Sequence, residues 1–358
     1  MKSKSSRSAP KGKPKSNGAN LLDTPTCGLS RKQLHDLYYY MQLCRTVEER
    51  LLALYKQGKL IGSLFRSLGQ EGTAVGSAYA LEKQDVLCPM IRDIAALYVR
   101  GHTPKDLFTN YMGRATSPTG GKDGNQHFGN RELGTIACIS MMGSVIPVVM
   151  GAAWAKQMQG VKSVGLTFVG DGGTSTGDFH ESLNFASVRK FPLVLIIESN
   201  GWAYSTPTSG QMNIKDLVVR AQAYNIPGYM IDGNNVLEVY RTTKKAVEYA
   251  RAGNGPVIIE VKTFRMRGHA EHDDAAYVPK ELFEEWRKKD PIDRHDKFLK
   301  ENDLLTDKEQ KEILARIEAL VKEGEEYALS APLPEGPSAL KGVFEDDSIV
   351  PFTPWWER

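Results

Sequence analysis

The sequence has 358 residues and a mass of 39.7 kDa, which suits one large α/β domain or two modest ones with a sizeable core. Hydrophobic residues at 41% and charged residues at 25% are close to the globular average, against a collagen-like, wholly disordered or membrane-embedded chain. The formal net charge is +3, yet Lys2, Lys4, Arg7, Lys11, Lys13 and Lys15 fall in the first twenty residues with no acid among them; without these six the rest carries −3, so no nucleic acid partner is expected.

Residues 1–20 are rich in Ser, Gly, Pro and Lys and hold no apolar stretch, which predicts a disordered basic tail rather than a secretory signal. A mitochondrial presequence would share the Ser-rich, acid-poor composition but needs Arg and an apolar helical face. A cytoplasmic location is therefore expected, with the mitochondrial matrix as the lesser alternative. Residues 21–330 read as an α/β domain and 331–358 as an extended, Pro-rich C-terminal segment. Cys27, Cys44, Cys88 and Cys138 are widely spaced with no C-x-x-C pair, as reduced thiols would be.

Residues 31–57 carry apolar side chains at helical spacing (Leu34, Leu37, Met41, Cys44, Leu51, Leu54) and predict a long amphipathic helix. A loop over 58–69 leads to helices over 71–80 and 94–100, and Thr103-Pro104 opens another with a hydroxyl cap and proline at the first position. Residues 114–131 form a Gly-rich polar loop. Residues 133–155 carry no charge and are long enough to cross a bilayer, but Gly134, Gly143, Gly151 and Pro147 predict a loop and then a buried helix starting near Pro147. No membrane association is expected.

From residue 164 the pattern becomes strand (164–169), helix (178–189), strand (193–197), strand (229–231), helix (236–251) and strand (257–261). This alternation predicts a doubly wound, mainly parallel sheet with helices on both faces. A charged helix over 308–327, capped by Thr306 or Asp307, precedes the C-terminal segment. In such sheets ligands bind at the carboxyl ends of strands.

After the strand at 164–169 comes Gly170-Asp171-Gly172-Gly173-Thr174-Ser175-Thr176-Gly177. It is open to four readings. An Asp-Gly pair can be a plain turn. A dinucleotide fingerprint wants Gly where Ser175 stands, and Asp171 would repel a pyrophosphate. G-x-S-x-G matches a serine hydrolase with Ser175, Asp232 and His269 in order, although Ser175 lies six residues past the strand rather than at the turn. The fourth reading makes Asp171 a ligand of a hard cation such as Mg²⁺, shared with a diphosphate. Asn200 follows the next strand 29 positions on, and neighbouring strand ends lie about 4.8 Å apart, so the two side chains can converge. Gly172 and Gly173 would let backbone amides approach the phosphates.

Gly170-Asp171-Gly172, the interval to Ser199-Asn200, and the segments Glu48-Glu49-Arg50, Gly69-Gln70-Glu71-Gly72-Thr73, Ile91-Arg92-Asp93, Gly113-Arg114, Ile146-Pro147, Ser205-Thr206-Pro207-Thr208 and Arg267-Gly268-His269 resemble, in order, the alpha subunit of the decarboxylating first component of 2-oxo acid dehydrogenase complexes. The similarity runs over residues 34–346. It implies a thiamine diphosphate-binding fold in which Asp171, Asn200 and the carbonyl of Trp202 hold Mg²⁺ on the cofactor diphosphate. It also implies that Arg92 neutralises that diphosphate and that His269 stands near it and the entering lipoyl group, donating hydrogen bonds or protons. Ser140 and Met142 would contact the aminopyrimidine through backbone groups, and Phe65 would line the substrate pocket.

Three departures qualify the resemblance. Ile91 stands where the family often has Tyr, removing a polar contact. Ala270 stands where regulated relatives carry a phosphorylatable Ser, so kinase control there is not expected. Ser144 and Val145 replace a Thr-Gln pair that helps bind a monovalent cation in some relatives.

The resemblance further implies a separate beta subunit supplying the activating Glu, an α2β2 assembly and a lipoyl-bearing acyltransferase partner. The implied reaction is oxidative decarboxylation of a small 2-oxo acid. The branched-chain subgroup is the expected one, with pyruvate and acetoin dehydrogenases as alternatives and the Ser175 hydrolase as an alternative of another class.

Overall fold

The computed structural model describes residues 21–342; the expected tail 1–20 and residues 343–358 of the expected C-terminal segment lie outside the described residues. Helices α1 (Arg31–Lys56) and α2 (Glu71–Tyr79) precede a short strand β1 (Val86–Cys88), helices α3 (Ile94–Val99) and α4 (Pro104–Tyr111) follow it, and α5 (Val145–Met158) comes after the Gly-rich loop. Then come β2 (Gly165–Gly170), α6 (Gly177–Arg189) and β3 (Leu193–Ser199). A two-stranded ribbon, β4 (Trp202–Ala203) and β5 (Thr206–Pro207), leads into a single turn α7 (Thr208–Gln211). The chain continues through β6 (Gly228–Asp232), α8 (Val236–Arg251), β7 (Val257–Lys262), α9 (Lys280–Arg287), α10 (Pro291–Glu301) and α11 (Asp307–Ser330).

The main sheet has order β1-β2-β3-β7-β6 with every pairing parallel, as the strand and helix alternation predicts. Both faces are buried. Along β3, Val194 and Ile196 join a core with α1, α2, α3, α4, α8, α10 and α11, while Leu193, Leu195 and Ile197 join a second core with α5 and α6. Alternate residues of one strand thus feed opposite layers, so a continuous apolar run is required.

Local chemistry sets the helix ends. Thr103 and Thr306 each form a capping box, with Asp106 and Glu309 respectively, and Pro104 takes the first helical position. Thr306, not Asp307, is the cap of α11. Helix α5 begins at Val145, two residues before the expected Pro147. Proline is tolerated there because the first four N–H groups of a helix have no intrahelical acceptor. The sequence reading passed over β1, only three residues long, and the short helices α9 and α10, although Asp290-Pro291 is a cap and first-position signal for α10. Beyond α11 the chain runs extended and then makes a 3₁₀ turn at Gly336–Leu340, so the described part of the C-terminal segment is not wholly extended.

All four cysteines are free and buried, and among the described residues no helix is long and apolar enough to cross a membrane. The uncharged stretch 133–155 is accounted for by a loop and α5, whose Val145, Ile146, Val149 and Met150 pack beneath the sheet.

Asp85 ties three elements at the amino end of the sheet. Fully buried, it accepts from Arg251 of α8 at 2.8 and 2.7 Å, from the Val164 amide at 2.9 Å and from the Glu82 amide at 2.7 Å. Asp85→Ala leaves the Val164 and Glu82 amides without this acceptor and Arg251 with only the Lys162 carbonyl and a longer contact to Glu82, and is expected to destabilise the fold by about 3–5 kcal/mol in urea denaturation. A loss below about 1 kcal/mol would mean that the network does not hold this end together.

Candidate functional site

Parallel pairing aligns Val169 with Ile197 and Gly170 with Glu198, so the chain leaves both strands at the same height. Asp171 follows β2 and Asn200 follows β3, and both are buried. Asp171 Oδ1 accepts from the Gly172 amide at 2.8 Å and Oδ2 from the Thr208 hydroxyl at 3.3 Å. Asn200 Oδ1 accepts from the Trp202 amide at 3.2 Å across a turn in which Gly201 has φ +89°, a left-handed conformation that glycine adopts without strain. At Gly172 an added Cβ would meet the Ala203 Cβ at 2.6 Å, so glycine is needed where the two loops close on each other.

These loops form one wall of a cavity of about 500 Å³, at the carboxyl ends of β2 and β3. Phe65, Arg92, Ser140, Met142, Asp171, Gly172, Gly173, Asn200, Trp202 and His269 all line it. Residues separated by up to 204 positions, from Phe65 to His269, are thus gathered on one concave surface.

The cavity is polarised. Arg92 is buried, donates to the His269 carbonyl, and has no hydrogen-bond partner for Nε among the described residues. Arg265, also buried, donates to the Tyr204 carbonyl at 2.9 Å and the Tyr277 hydroxyl at 2.7 Å. Burial and then the neighbouring Arg265 lower the Arg92 guanidinium to about 10, the signature of cationic charge awaiting an anion. The His269 ring lies between Phe65 and Tyr204, at centroid distances of 5.4 and 4.4 Å, and is pushed down to about 4 by burial, Arg92 and Arg265. Its loop is held by Asp273, which accepts from the His269 amide and the Tyr277 hydroxyl, each at 2.6 Å.

In the same cavity, burial raises the Asp171 carboxyl, against the pull of its Gly172 amide and Thr208 hydroxyl donors and of the nearby Arg265. Asp93 and Glu198 form a buried acid pair whose carboxyls are both raised by burial. No group of three or more His, Cys, Asp or Glu able to hold a metal occurs among the described residues. A metal here would therefore rest on one carboxylate, with amide and carbonyl oxygens and the ligand's own phosphates completing the shell. That oxygen-only donor set suits Mg²⁺. The unpartnered Arg92 Nε and the glycine-lined wall suit a diphosphate.

A sequence profile described as dehydrogenase E1 component matches residues 39–336. The chain belongs to that family. It is similar to the 2-oxoisovalerate dehydrogenase subunit alpha of Bacillus subtilis, 35% identical over 88% of this chain and 97% of the relative. It is also similar to pyruvate dehydrogenase E1 component subunit alpha of Rickettsia bellii, at 32% identity over 82% of this chain and 90% of that one. The corresponding Staphylococcus aureus subunit is 33% identical over 89% and 84%. The protein is thus an E1 alpha chain of the 2-oxo acid dehydrogenases.

The hydrolase reading fails on this E1 chain. Ser175 is exposed at the end of a 3₁₀ turn and does not line the cavity, and Asp232 pairs with Arg294 at 2.7 Å instead of orienting His269. The sequence reading in turn missed Asp93, His127, Glu198, Tyr204 and Arg265. Glu198 carried a signal, as an acid ending an otherwise apolar strand. Arg265 and His127 carried none, because their roles come from neighbours remote in sequence.

The depressed His269 ring gives a test. It is neutral when folded down to about pH 4 and titrates near 6.5 when unfolded, so its contribution to stability is full above about 6.5 and is lost as pH falls toward about 4. In NMR titration its imidazole should stay neutral at pH 5.5, and Arg92→Ala should raise its midpoint. A midpoint near 6.5 in the native E1 chain would overturn the electrostatic account.

Proposed function

We propose that this E1 alpha chain is the diphosphate-anchoring half of a thiamine diphosphate- and Mg²⁺-dependent decarboxylase of 2-oxo acids, with a branched-chain 2-oxo acid as its substrate. The observation that carries this is the single cavity in which an oxygen donor set meets two buried arginines lacking a carboxylate partner. Asp171, Asn200 and the Trp202 carbonyl would hold the metal, and Arg92 the diphosphate. The amides of Gly172 and Gly173 would approach the phosphates. Thiamine diphosphate supplies the electron sink on which a 2-oxo acid can lose carbon dioxide.

The chain's own residues bind, orient and exclude water. Phe65 and Ile91, with Ile139, Met141, Met142 and Val145, give the cavity an apolar side suited to an aliphatic substrate chain. Ser140 and Met142 would stand beside the aminopyrimidine. His269, neutral beside the arginines, would offer a hydrogen bond to the reacting groups. The branched-chain assignment is supported by the similarity to the 2-oxoisovalerate dehydrogenase alpha subunit and by this apolar wall. The bacterial relatives support a cytoplasmic location.

A beta subunit in an α2β2 assembly would supply the missing carboxylate, and a lipoyl-bearing acyltransferase would accept the acyl group. Co-expression with a beta partner, followed by assays on 2-oxoisovalerate, pyruvate and acetoin with an artificial electron acceptor, tests the reading. The assembly should turn over 2-oxoisovalerate fastest, and the alpha chain alone should be inactive. Asp171→Ala should abolish Mg²⁺-dependent retention of thiamine diphosphate, measured by calorimetry. Unchanged retention would overturn the site, and full turnover by the alpha chain alone would overturn the divided-site account.

A further inference from the structure

Strand register brings the tips carrying Asp171 and Asn200 together, but it does not set how their oxygen donors are turned, because the pairing of β2 with β3 ends at Gly170 and Glu198. The chain beyond Asn200 supplies what the register leaves free. It runs out in β4, turns at Tyr204 and Ser205, and comes back in β5, with Trp202 opposite Pro207 and Ala203 opposite Thr206. This antiparallel return places Thr208, the first residue of α7, beside Gly201, whose carbonyl accepts from the Thr208 amide at 3.0 Å. The Thr208 hydroxyl then reaches across to Asp171 Oδ2 at 3.3 Å, and the Gly201 amide faces the same carboxylate. One residue thus binds both tips, through its backbone to the loop after β3 and through its side chain to the loop after β2. The hydroxyl bond is long for its kind, so its worth lies in direction more than in stability.

Direction matters most at Asp171. It is the one carboxylate among the residues that would hold the metal, and no group of three or more His, Cys, Asp or Glu stands in for it among the described residues. An aspartate carboxylate turns about its last torsion over a broad range unless its oxygens are held. The Gly172 amide holds Oδ1 at 2.8 Å, but it belongs to the next residue of the same loop and moves with Asp171. Among the described residues Thr208 is the one side chain that donates a hydrogen bond to this carboxylate. Thr208 does not line the cavity, so it acts through its neighbours and is not a ligand itself.

We propose that Thr208 is a positioning residue of the metal site, its hydroxyl setting the plane of the Asp171 carboxylate while its amide fixes the turn that presents the Trp202 carbonyl. The proposal rests on the reading of Asp171, Asn200 and Trp202 as the Mg²⁺ site. Groups that orient a metal-binding side chain are worth about 10- to 100-fold in metal affinity. The lower end applies here, because the Gly201 amide stays in place when the hydroxyl is removed.

The test uses the assembled alpha and beta chains and reads binding rather than turnover. At a fixed concentration of thiamine diphosphate, the Mg²⁺ concentration that half-saturates cofactor retention is measured by equilibrium dialysis. Thr208→Val keeps the shape and the backbone bond but has no hydroxyl, and it should raise that concentration about tenfold or more. Thr208→Ser keeps the hydroxyl and should stay within about threefold of wild type. Excess Mg²⁺ should restore full retention in Thr208→Val, which a damaged fold would not allow. A wild-type half-saturation in Thr208→Val, equal losses in the valine and serine variants, or a loss that excess Mg²⁺ does not repair overturns the positioning role. If the valine variant does not assemble, Thr208→Ala against Thr208→Ser decides by the same criteria. Wild-type retention that is independent of Mg²⁺, or unchanged by Asp171→Ala, would instead overturn the metal site on which the proposal rests.

Discussion

The parallel register of β2 against β3 is the constraint from which the site follows. With Gly170 opposite Glu198, the two strands deliver Asp171 and Asn200 to neighbouring loop tips. The register is fixed because β3 is buried on both faces. A slip of one residue would exchange Val194 and Ile196 with Leu193, Leu195 and Ile197 between two cores of different shape. The apolar interior and the proposed metal site are therefore set by one alignment, and the site needs no device of its own to bring its halves together.

The electrostatic arrangement above that alignment is costly without a ligand. Arg92 and Arg265 are buried near one another with carbonyl and phenol partners, and Asp171 is buried with amide and hydroxyl donors. Each charge is desolvated without a matching ion, which lowers Arg92 and raises Asp171. A dianionic diphosphate with a divalent cation answers both imbalances at once, positive charge meeting Asp171 and negative charge meeting the arginines. Preorganisation of this kind moves cost from the binding step into folding. The surrounding scaffold supplies the stability through continuous cores on both faces of the sheet and the buried Asp85–Arg251 network at its other end.

How far the sequence exposed this arrangement depended on the length of the signal. Long amphipathic helices such as α1 and α8 and the apolar runs of β2, β3 and β7 were legible because burial imposes a period on many residues at once. The three-residue β1 has too few positions for a period to emerge, and α9 starts after Pro279 with no side-chain cap to announce it. Asp171 and Asn200 were legible because strand ends are predictable and their residue types are unusual there. The arginine pair was half legible: Arg92 through its motif, Arg265 not at all, since its role depends on a partner 173 positions away that only the folded cavity brings near. His127 lies in an irregular loop, where no repeating pattern says which neighbours it will meet.

The lip of the cavity points to the division of labour between chains. Met141 and Met142, on the loop that carries Ser140, are 62% and 47% exposed, although they line the same cavity as the buried Arg92 and Asp171. Exposed apolar surface forgoes about 25 cal/mol per Å² that a covering surface would recover. A cover over this lip would also remove water from between Arg92, Asp171 and a bound anion, where a lower dielectric strengthens each attraction several-fold. In the proposed assembly, closure by a partner and tight binding of the charged cofactor would be one physical event.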